Sequence, residues 1–274
     1  MIKTRIPHRS TPLRQLALVA ALLAGTAAQA VVAPPLSVQA DGSMADIAYG
    51  NGGNVFQLDP ILFVQGLGGA ANPQAVTSLN PLLQYAFSVS GAGTGLMTVD
   101  YRIRNTSATD SFSQLRFMVF ANPDGDGVDF ADVLSETWGP AAAGDPLLRE
   151  GRAFDPVASI KAGIALNNNL TEGGSPLDAA CTAAAGCDAT IGLQWNAPLL
   201  GPGETFRLRL GLSDNGQHLS TRWIDAAAVN SPATTLTLSG LSSVVAVPEP
   251  GSYALLLSGL MALGLLAQRR RTAG

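Results

Sequence analysis

Histidine is scarce in this 274-residue chain, and its scarcity excludes most catalytic arrangements. Of the two histidines, only His218 lies beyond the first thirty residues. It follows Asp-Asn-Gly-Gln, a composition typical of a hairpin loop, so we interpret it as a solvated loop side chain rather than a base. No Gly-x-Ser-x-Gly elbow, His-Glu-x-x-His motif or phosphate loop occurs in the sequence. We therefore expect no enzyme activity.

Positive charge is also scarce between the two ends of the chain. Of the 16 lysines and arginines, four lie in residues 1–14 and three in residues 269–271. Nine remain in residues 31–246, against nineteen acidic residues, so this segment has a formal charge of −10. An acidic surface argues against nucleic acid as a partner and against adhesion to anionic lipid, and it is compatible with bound calcium.

Residues 1–30 have the organisation of a secretory signal peptide. Lys3, Arg5, Arg9 and Arg14 precede the apolar run 16–24, and Ala-Gln-Ala at 28–30 is a small-x-small cleavage site. No twin-arginine pair precedes the apolar run, which favours the general secretion machinery. The exported part is then the ectodomain, residues 31–246.

The two cysteines, Cys181 and Cys187, are six residues apart in the ectodomain. In an oxidising compartment this spacing predicts a disulfide that closes a small surface loop. A metal site would need more ligands nearby, and Asp188 is the single adjacent candidate.

Residues 247–274 combine a proline motif, an apolar run and a basic end. The motif is Val247, Pro248, Glu249 and Pro250, and two prolines so close cannot continue a helix or pair in a central strand. A transmembrane helix is predicted at about 253–267, with Arg269, Arg270 and Arg271 on the cytoplasmic side. About fifteen residues span only ~22 Å, against ~30 Å of hydrocarbon, so the anchor would be marginal.

This order of features resembles the PEP-CTERM sorting tail of exported proteins from Gram-negative bacteria that make exopolysaccharide. The resemblance rests on Pro248, Glu249, Pro250 and the arginines 269–271, and it covers about the last tenth of the chain. It implies processing by an exosortase, a membrane cysteine transpeptidase, after transient anchoring in the inner membrane. The final place would be the cell surface or the extracellular matrix, in association with exopolysaccharide. The alternative is an ordinary C-terminal anchor after a proline-rich hinge.

Period-two alternation of apolar residues dominates the ectodomain and predicts an all-β fold. The clearest strands are Leu96–Asn105 and Thr205–Leu212, in which the apolar residues are expected to face inward and the arginines at 102, 104, 207 and 209 outward. Leu115–Ala121, apolar on both faces, is expected to be central. Many short strands with turn signals between them predict an antiparallel β-sandwich of immunoglobulin-like or jelly-roll type. Short helical turns are expected near 130–137 and 156–166. Weaker strand candidates are Val55–Leu58, Ile61–Gln65, Leu83–Val89, Ala189–Trp195, Thr234–Leu241 and Val244–Val247.

Two local patterns resemble bacterial immunoglobulin-like surface domains. The first is a strand ending in Asn105-Thr106, and the second is the turn Pro202-Gly203-Glu204 before an alternating strand. The chain between them is longer than one compact domain of that type needs. Either residues 122–198 are partly an insertion, or the sandwich is of jelly-roll type.

The stretch 122–129 resembles the first half of a calcium loop. Asn122, Asp124 and Asp126 would occupy loop positions one, three and five, with a glycine at position six. Position twelve is Val133, so the bidentate glutamate is missing, and Asp129 or Asp132 could replace it only in a different loop geometry. The alternative is a polar hairpin turn, for which Asp-Gly repeats are ordinary. Any bound calcium would be structural.

Three tryptophans and a few acids remain as candidate contact residues. Trp138 and Trp223 are candidates for stacking on sugars, whereas Trp195, at the end of an alternating strand, is expected in the core. The sequence thus predicts a structural or glycan-contacting exported protein. The first alternative is a carbohydrate-binding module with a calcium-stabilised loop. The second is a secreted hydrolase, which would need two facing carboxylates among the acids at 136, 145, 150 and 155.

Overall fold

A computed structural model of the chain describes residues 32–50, 54–67, 69–124, 134–138, 148–153, 190–220, 223–228, 231–246, 255–263 and 268. Two antiparallel six-stranded sheets make up most of this part of the chain. The strands are β1 (Ser37–Val38), β2 (Met44–Tyr49), β3 (Asn54–Phe63), β4 (Leu83–Ser90), β5 (Met97–Asn105), β6 (Phe112–Asp124), β7 (Leu134–Trp138), β8 (Leu148–Ala153), β9 (Thr190–Leu200), β10 (Thr205–Ser213), β11 (Trp223–Ala228) and β12 (Ser231–Val245). A short helix, α1 (Pro73–Leu79), precedes β4.

The strand order in each sheet shows how the chain moves between the layers. The first sheet runs β1-β2-β3-β6-β9-β8, and the second runs β4-β5-β10-β12-β11-β7. Buried apolar side chains from both sheets form one core cluster, so the predicted all-β sandwich is confirmed. Strands β7 and β8 and most of β9 come from residues 122–198; β7 belongs to the second sheet, and β8 and β9 belong to the first.

The two clearest predicted strands have the predicted faces. In β5 the side chains of Met97, Val99, Tyr101 and Ile103 are fully buried, and the intervening residues face outward. In β10 the large apolar side chains, Phe206, Leu208, Leu210 and Leu212, are all buried, and Arg207 and Arg209 are exposed. Because successive side chains in a strand point to opposite faces, period-two alternation places one set in the core and the other in solvent.

Strand β6 is central in the first sheet, as its apolar character on both faces predicts. Its inward residues join the main core. On the outer face Met118 and Phe120 form a second buried cluster with Ile61 and Phe63 of β3. A strand that is buried on both sides has a continuous apolar sequence, so no alternation of apolar and polar residues is expected in it.

Strand β3 passes through Pro60, where the sequence predicts two separate strands. The last residue of β3 that pairs with β2 is Leu58, so Pro60 lies beyond that ladder. The backbone N–H of Leu62 donates to Ala71 O at 2.9 Å, which shows that even-numbered residues here direct their N–H away from β6. Pro60 has the same parity, so its missing N–H removes no hydrogen bond to β6.

Other predicted boundaries change as well. Strand β12 is continuous over Ser231–Val245, where two strands are predicted, and β9 extends five residues past Trp195 to Leu200. A helical turn at 130–137 is wrong for residues 134–137, which belong to strand β7. This segment is extended rather than helical because it pairs with β11 as the edge strand of the second sheet. The turn predicted at 156–166 lies outside the described residues.

The described part of the C-terminal tail is helical at 255–263. Its large apolar side chains are exposed, from 57% for Leu260 to 75% for Leu255. Among the described residues, no helix is both long enough and apolar enough to cross a membrane. The predicted signal peptide, the motif 247–250 and the arginines 269–271 lie outside the described residues.

Asp214, just after β10, links the two sheets. Its Oδ2 accepts a hydrogen bond from the backbone N–H of Gly50, at the end of β2, at 2.6 Å. The residue is 6% exposed, and Oδ1 has no partner within the described part of the chain. Burial raises the pKa of Asp214 above its ordinary value, because desolvation disfavours the carboxylate more than its backbone hydrogen bonds favour it.

We expect Asp214→Asn to become more stable relative to the wild type as pH rises. Because the folded pKa of Asp214 is raised, the folded state binds the proton more tightly than the unfolded state. The contribution of Asp214 to stability is therefore greatest below the unfolded pKa and is lost as pH rises through the folded pKa. Asparagine keeps an acceptor for Gly50 without the charge. Denaturant unfolding from pH 3 to pH 8 measures the difference, and a difference that does not vary with pH would contradict it.

Candidate functional site

The outward side of the second sheet carries a group of arginines, which we call the arginine face. It consists of Arg102 and Arg104 on β5 and Arg207 and Arg209 on β10. These strands pair antiparallel, with Arg102 directly opposite Arg207 and Asp100 directly opposite Arg209. The arginine face therefore holds four of the nine basic residues of a segment whose formal charge is −10.

One arginine of this face is neutralised within the sheet. Arg209 donates to both carboxylate oxygens of Asp100, from Nε at 2.8 Å and from Nη2 at 3.1 Å. The hydrogen bond and the charge of Asp100 raise the pKa of Arg209 above its ordinary value. This pair is bidentate, the geometry in which a guanidinium fixes the orientation of a carboxylate.

The other three arginines are uncompensated. The side chains of Arg102, Arg104 and Arg207 are exposed, and within the described ranges their guanidinium groups make no hydrogen bond or ion pair. Directly opposed residues in an antiparallel pair have Cβ atoms ~4.5–5.5 Å apart, and like charges at such positions are destabilising. The Arg102–Arg207 pair thus opposes folding electrostatically, and an anion bound between the two guanidinium groups would relieve that repulsion.

Two open grooves cross the arginine face and share Arg102 and Arg207. The larger has a volume of about 580 Å³ and extends over β4 towards α1, with Gln84, Arg104 and Thr205 in its lining. The smaller, of about 470 Å³, extends over β12, where Ser243, directly opposite Arg207, contributes a hydroxyl group. Guanidinium, amide and hydroxyl donors therefore line one continuous path across four strands.

The two tryptophan candidates lie on neighbouring strands of the second sheet, Trp223 on β11 and Trp138 on β7. Trp223 is half-buried, and its ring packs against His218 with centroids 5.7 Å apart. Trp138 belongs to β7 and pairs with Ile224, the residue after Trp223, so the two tryptophans occupy positions that alternate across the sheet.

Two other sequence interpretations are confirmed. His218 is exposed in the loop after β10, where its Nδ1 lies 3.1 Å from Gly216 O, as expected for a solvated loop histidine. Trp195 is 1% exposed and belongs to the core.

The predicted calcium positions are partly strand. Asn122 and Asp124 lie in β6, opposite Gln57 and Val55 of β3, rather than in a loop. Asp126 and Asp129 lie outside the described residues. Within the described ranges, no group of three or more His, Cys, Asp or Glu residues is placed to hold a metal ion. The calcium loop therefore stays a prediction.

The remaining candidates are separated or undescribed. Glu136 belongs to β7 in the second sheet and Glu150 to β8 in the first, so the two acids do not share a sheet. Asp145, Asp155, Cys181 and Cys187 lie outside the described residues, and the predicted disulfide is untested.

The four arginines face outward, as the sequence predicts, but the sequence does not predict that they lie side by side on one face. Alternation within each strand gives the direction, whereas the grouping depends on the pairing of β5 with β10, about a hundred residues apart in the chain. Comparison of the chain with protein-family models, with curated proteins and with solved structures finds no match in any of the three.

Proposed function

We propose that this chain is an exported, non-catalytic protein of the cell surface or extracellular matrix that is sorted through its C-terminal tail. The observation that carries the proposal is the helix at 255–263. Its large side chains are all apolar and largely exposed, and an unpartnered helix of that kind is unstable in water. A bilayer supplies the apolar surroundings that the helix needs.

The sequence on either side of the helix supports a temporary rather than a permanent anchor. The motif Pro248-Glu249-Pro250 lies in the sequence between the end of β12 and the helix, and two prolines so close favour an extended segment that a processing enzyme can bind. The apolar run is short for a bilayer, so the anchor is weak enough to be removed after export. Its resemblance to the PEP-CTERM tail names an exosortase as the processing partner.

The sandwich supports a contact role once the protein has left the membrane. The observation that supports this role is the exposed arginine face with its two adjoining open grooves. We therefore propose that the ectodomain contacts matrix glycans, with the inner membrane as a transient location only.

Replacing Pro248, Glu249 and Pro250 together with alanine is expected to leave export intact and to block removal of the tail. The intact mass of the protein, isolated from envelope and matrix fractions of its native host, measures this directly. The wild type should lack residues 255–274, and the variant should retain them in the envelope fraction.

A matched control is Pro34→Ala with Pro35→Ala, which alters a proline pair near the start of the ectodomain and should be processed like the wild type. Loss of the tail from the triple variant would show that the motif is not the sorting signal. A wild-type protein that keeps its tail in every fraction would identify a permanent membrane anchor instead.

A further inference from the structure

We propose that the arginine face binds an acidic polysaccharide through the carboxylate groups of its sugars. Arg102 and Arg207 hold the central carboxylate, and Arg104 holds a neighbouring one. The proposal names the ligand class of the contact role described above and rests on that role only for the identity of the polymer as a matrix glycan.

The two positive charges at the centre of the arginine face favour the binding of an anion between them. Arg102 and Arg207 oppose one another across the β5–β10 ladder with no carboxylate between them. A uronate carboxylate accepting from both would convert a repulsive pair into two charge-assisted hydrogen bonds. The Asp100–Arg209 pair, at the next outward position on the same two strands, shows that a guanidinium here takes a carboxylate in bidentate fashion.

The shape of the face favours a polymer over a small anion. The two grooves share Arg102 and Arg207 and together cross β4, β5, β10 and β12. Four strands at ~4.8 Å spacing give a path of ~14 Å, longer than a single sugar. Gln84, Thr205 and Ser243 occupy outward positions along this path and supply the neutral donors that sugar hydroxyls require.

Other polyanions fit the face less well. Single-stranded nucleic acid binds through bases stacked on exposed aromatic rings, but Tyr101 is buried and the Tyr85 hydroxyl donates to Asp41 O beneath the face. An anionic membrane is a broad surface that interacts with the charge of the whole ectodomain. Because the formal charge of the ectodomain is −10, the membrane repels it. A thin polymer strand lies within a Debye length of ~8–10 Å of the arginines and is attracted by the local field.

The test uses the full chain in a non-ionic detergent and polygalacturonate as the probe, measured by isothermal titration calorimetry at low and at high salt. Fully methyl-esterified polygalacturonate has the same backbone without the charge and is the ligand control. We expect binding of the acid form alone, weakening as salt rises. Equal binding of the ester would overturn the proposal.

Arg207→Gln is expected to weaken binding by about tenfold or more, because a hydrogen bond to a charged group is lost. Arg116→Gln is the matched variant, since it removes one arginine from β6 in the other sheet, and its affinity should stay within about twofold of the wild type. The melting temperature of Arg207→Gln should be unchanged or higher, because a like-charge contact is removed. Equal effects of the two substitutions would overturn the proposal.

Two further probes separate ligand classes. Vesicles rich in phosphatidylserine and single-stranded oligothymidylate are offered under the same conditions, and tighter Arg207-dependent binding of either would replace the polysaccharide as ligand. The outcome is independent of tail processing. Absence of polygalacturonate binding in a protein whose tail is removed overturns this inference alone, whereas binding by a protein that keeps its tail overturns the sorting proposal alone.

Discussion

Replacing Trp195 with alanine is expected to lower the free energy of unfolding by about 3–5 kcal/mol, the range for truncating a large buried aromatic side chain. Trp195 lies in β9 and is 1% exposed. Its indole contacts the backbone of β12 in the opposite sheet. A Cβ built on Gly240 would lie 2.6 Å from Trp195 Cζ2. Truncation opens a cavity between the sheets beside a residue that has no side chain to fill it.

Trp195→Phe is the control that separates ring volume from hydrogen bonding. The indole Nε1 is buried and has no hydrogen-bond partner among the described residues, so phenylalanine loses no such bond. We expect its effect to be about half that of alanine or less. Urea unfolding at constant pH measures both. A change under about 1 kcal/mol for Trp195→Ala would mean that the indole does not fill the space between the sheets.

Coupling to Gly240 gives an independent check of the same contact. Gly240→Ala should destabilise the wild type, because its Cβ meets the indole and lies 3.0 Å from Arg209 O. In the Trp195→Ala background the contact with the indole is gone and the penalty should shrink. A double-mutant cycle measures this interaction, and strict additivity would contradict the contact.

Where apolar alternation is unbroken, the sequence predicts both the strand and its faces. This holds for β5, in which burial alternates along the whole strand, and for residues 206–210 of β10. It fails for β2, whose register against β3 shifts between Met44 and Ile47 while Asp46 has φ 54°. Such a bulge displaces the side chains after it and breaks the period-two pattern. Strand β11 fails for another reason, because its sequence after Trp223 is largely alanine and carries little hydrophobic contrast.

Long-range pairing limits what the sequence predicts of the candidate site. Arg102 and Arg207 are each predicted to face outward from their own strands, and both do. Their direct opposition requires the register of β5 on β10, which no local pattern encodes. The sequence does not predict the helix α1, because the helix has only seven residues. Only Pro73 and Val76 of these are buried, and so few buried positions show no helical period.

Asn105, at the end of β5, contacts the turn that follows β9, so the two segments that resemble immunoglobulin-like domains are adjacent in the fold. Asn105 is fully buried at the end of β5, and its backbone N–H donates to Glu204 O at 2.9 Å. Its Nδ2 donates to Gly201 O at 2.9 Å and to Asp110 O at 2.6 Å. Its Oδ1 accepts from the N–H of Ser107 at 3.0 Å. One amide side chain therefore joins the β9–β10 turn to the β5–β6 connection, and hence the two sheets.

Replacing Asn105 with alanine is expected to lower the free energy of unfolding by about 2–4 kcal/mol, because buried carbonyl groups and one N–H lose their partners together. Asn105→Asp should be at least as damaging. It keeps an acceptor for Ser107 but places a carboxylate against the carbonyl groups of Asp110 and Gly201. Guanidinium unfolding of the purified protein measures both variants.

Thr106→Val is the neighbouring control, since its hydroxyl makes a single exposed hydrogen bond, 2.9 Å long, to Leu82 O. We expect it to change stability by less than about 1 kcal/mol. If Asn105→Ala were no more damaging than Thr106→Val, the turn would be held by its own backbone. In that case the Pro-Gly-Glu sequence and the bond from Gly201 N to Glu204 Oε2 at 2.7 Å, rather than Asn105, would position β9 against β10.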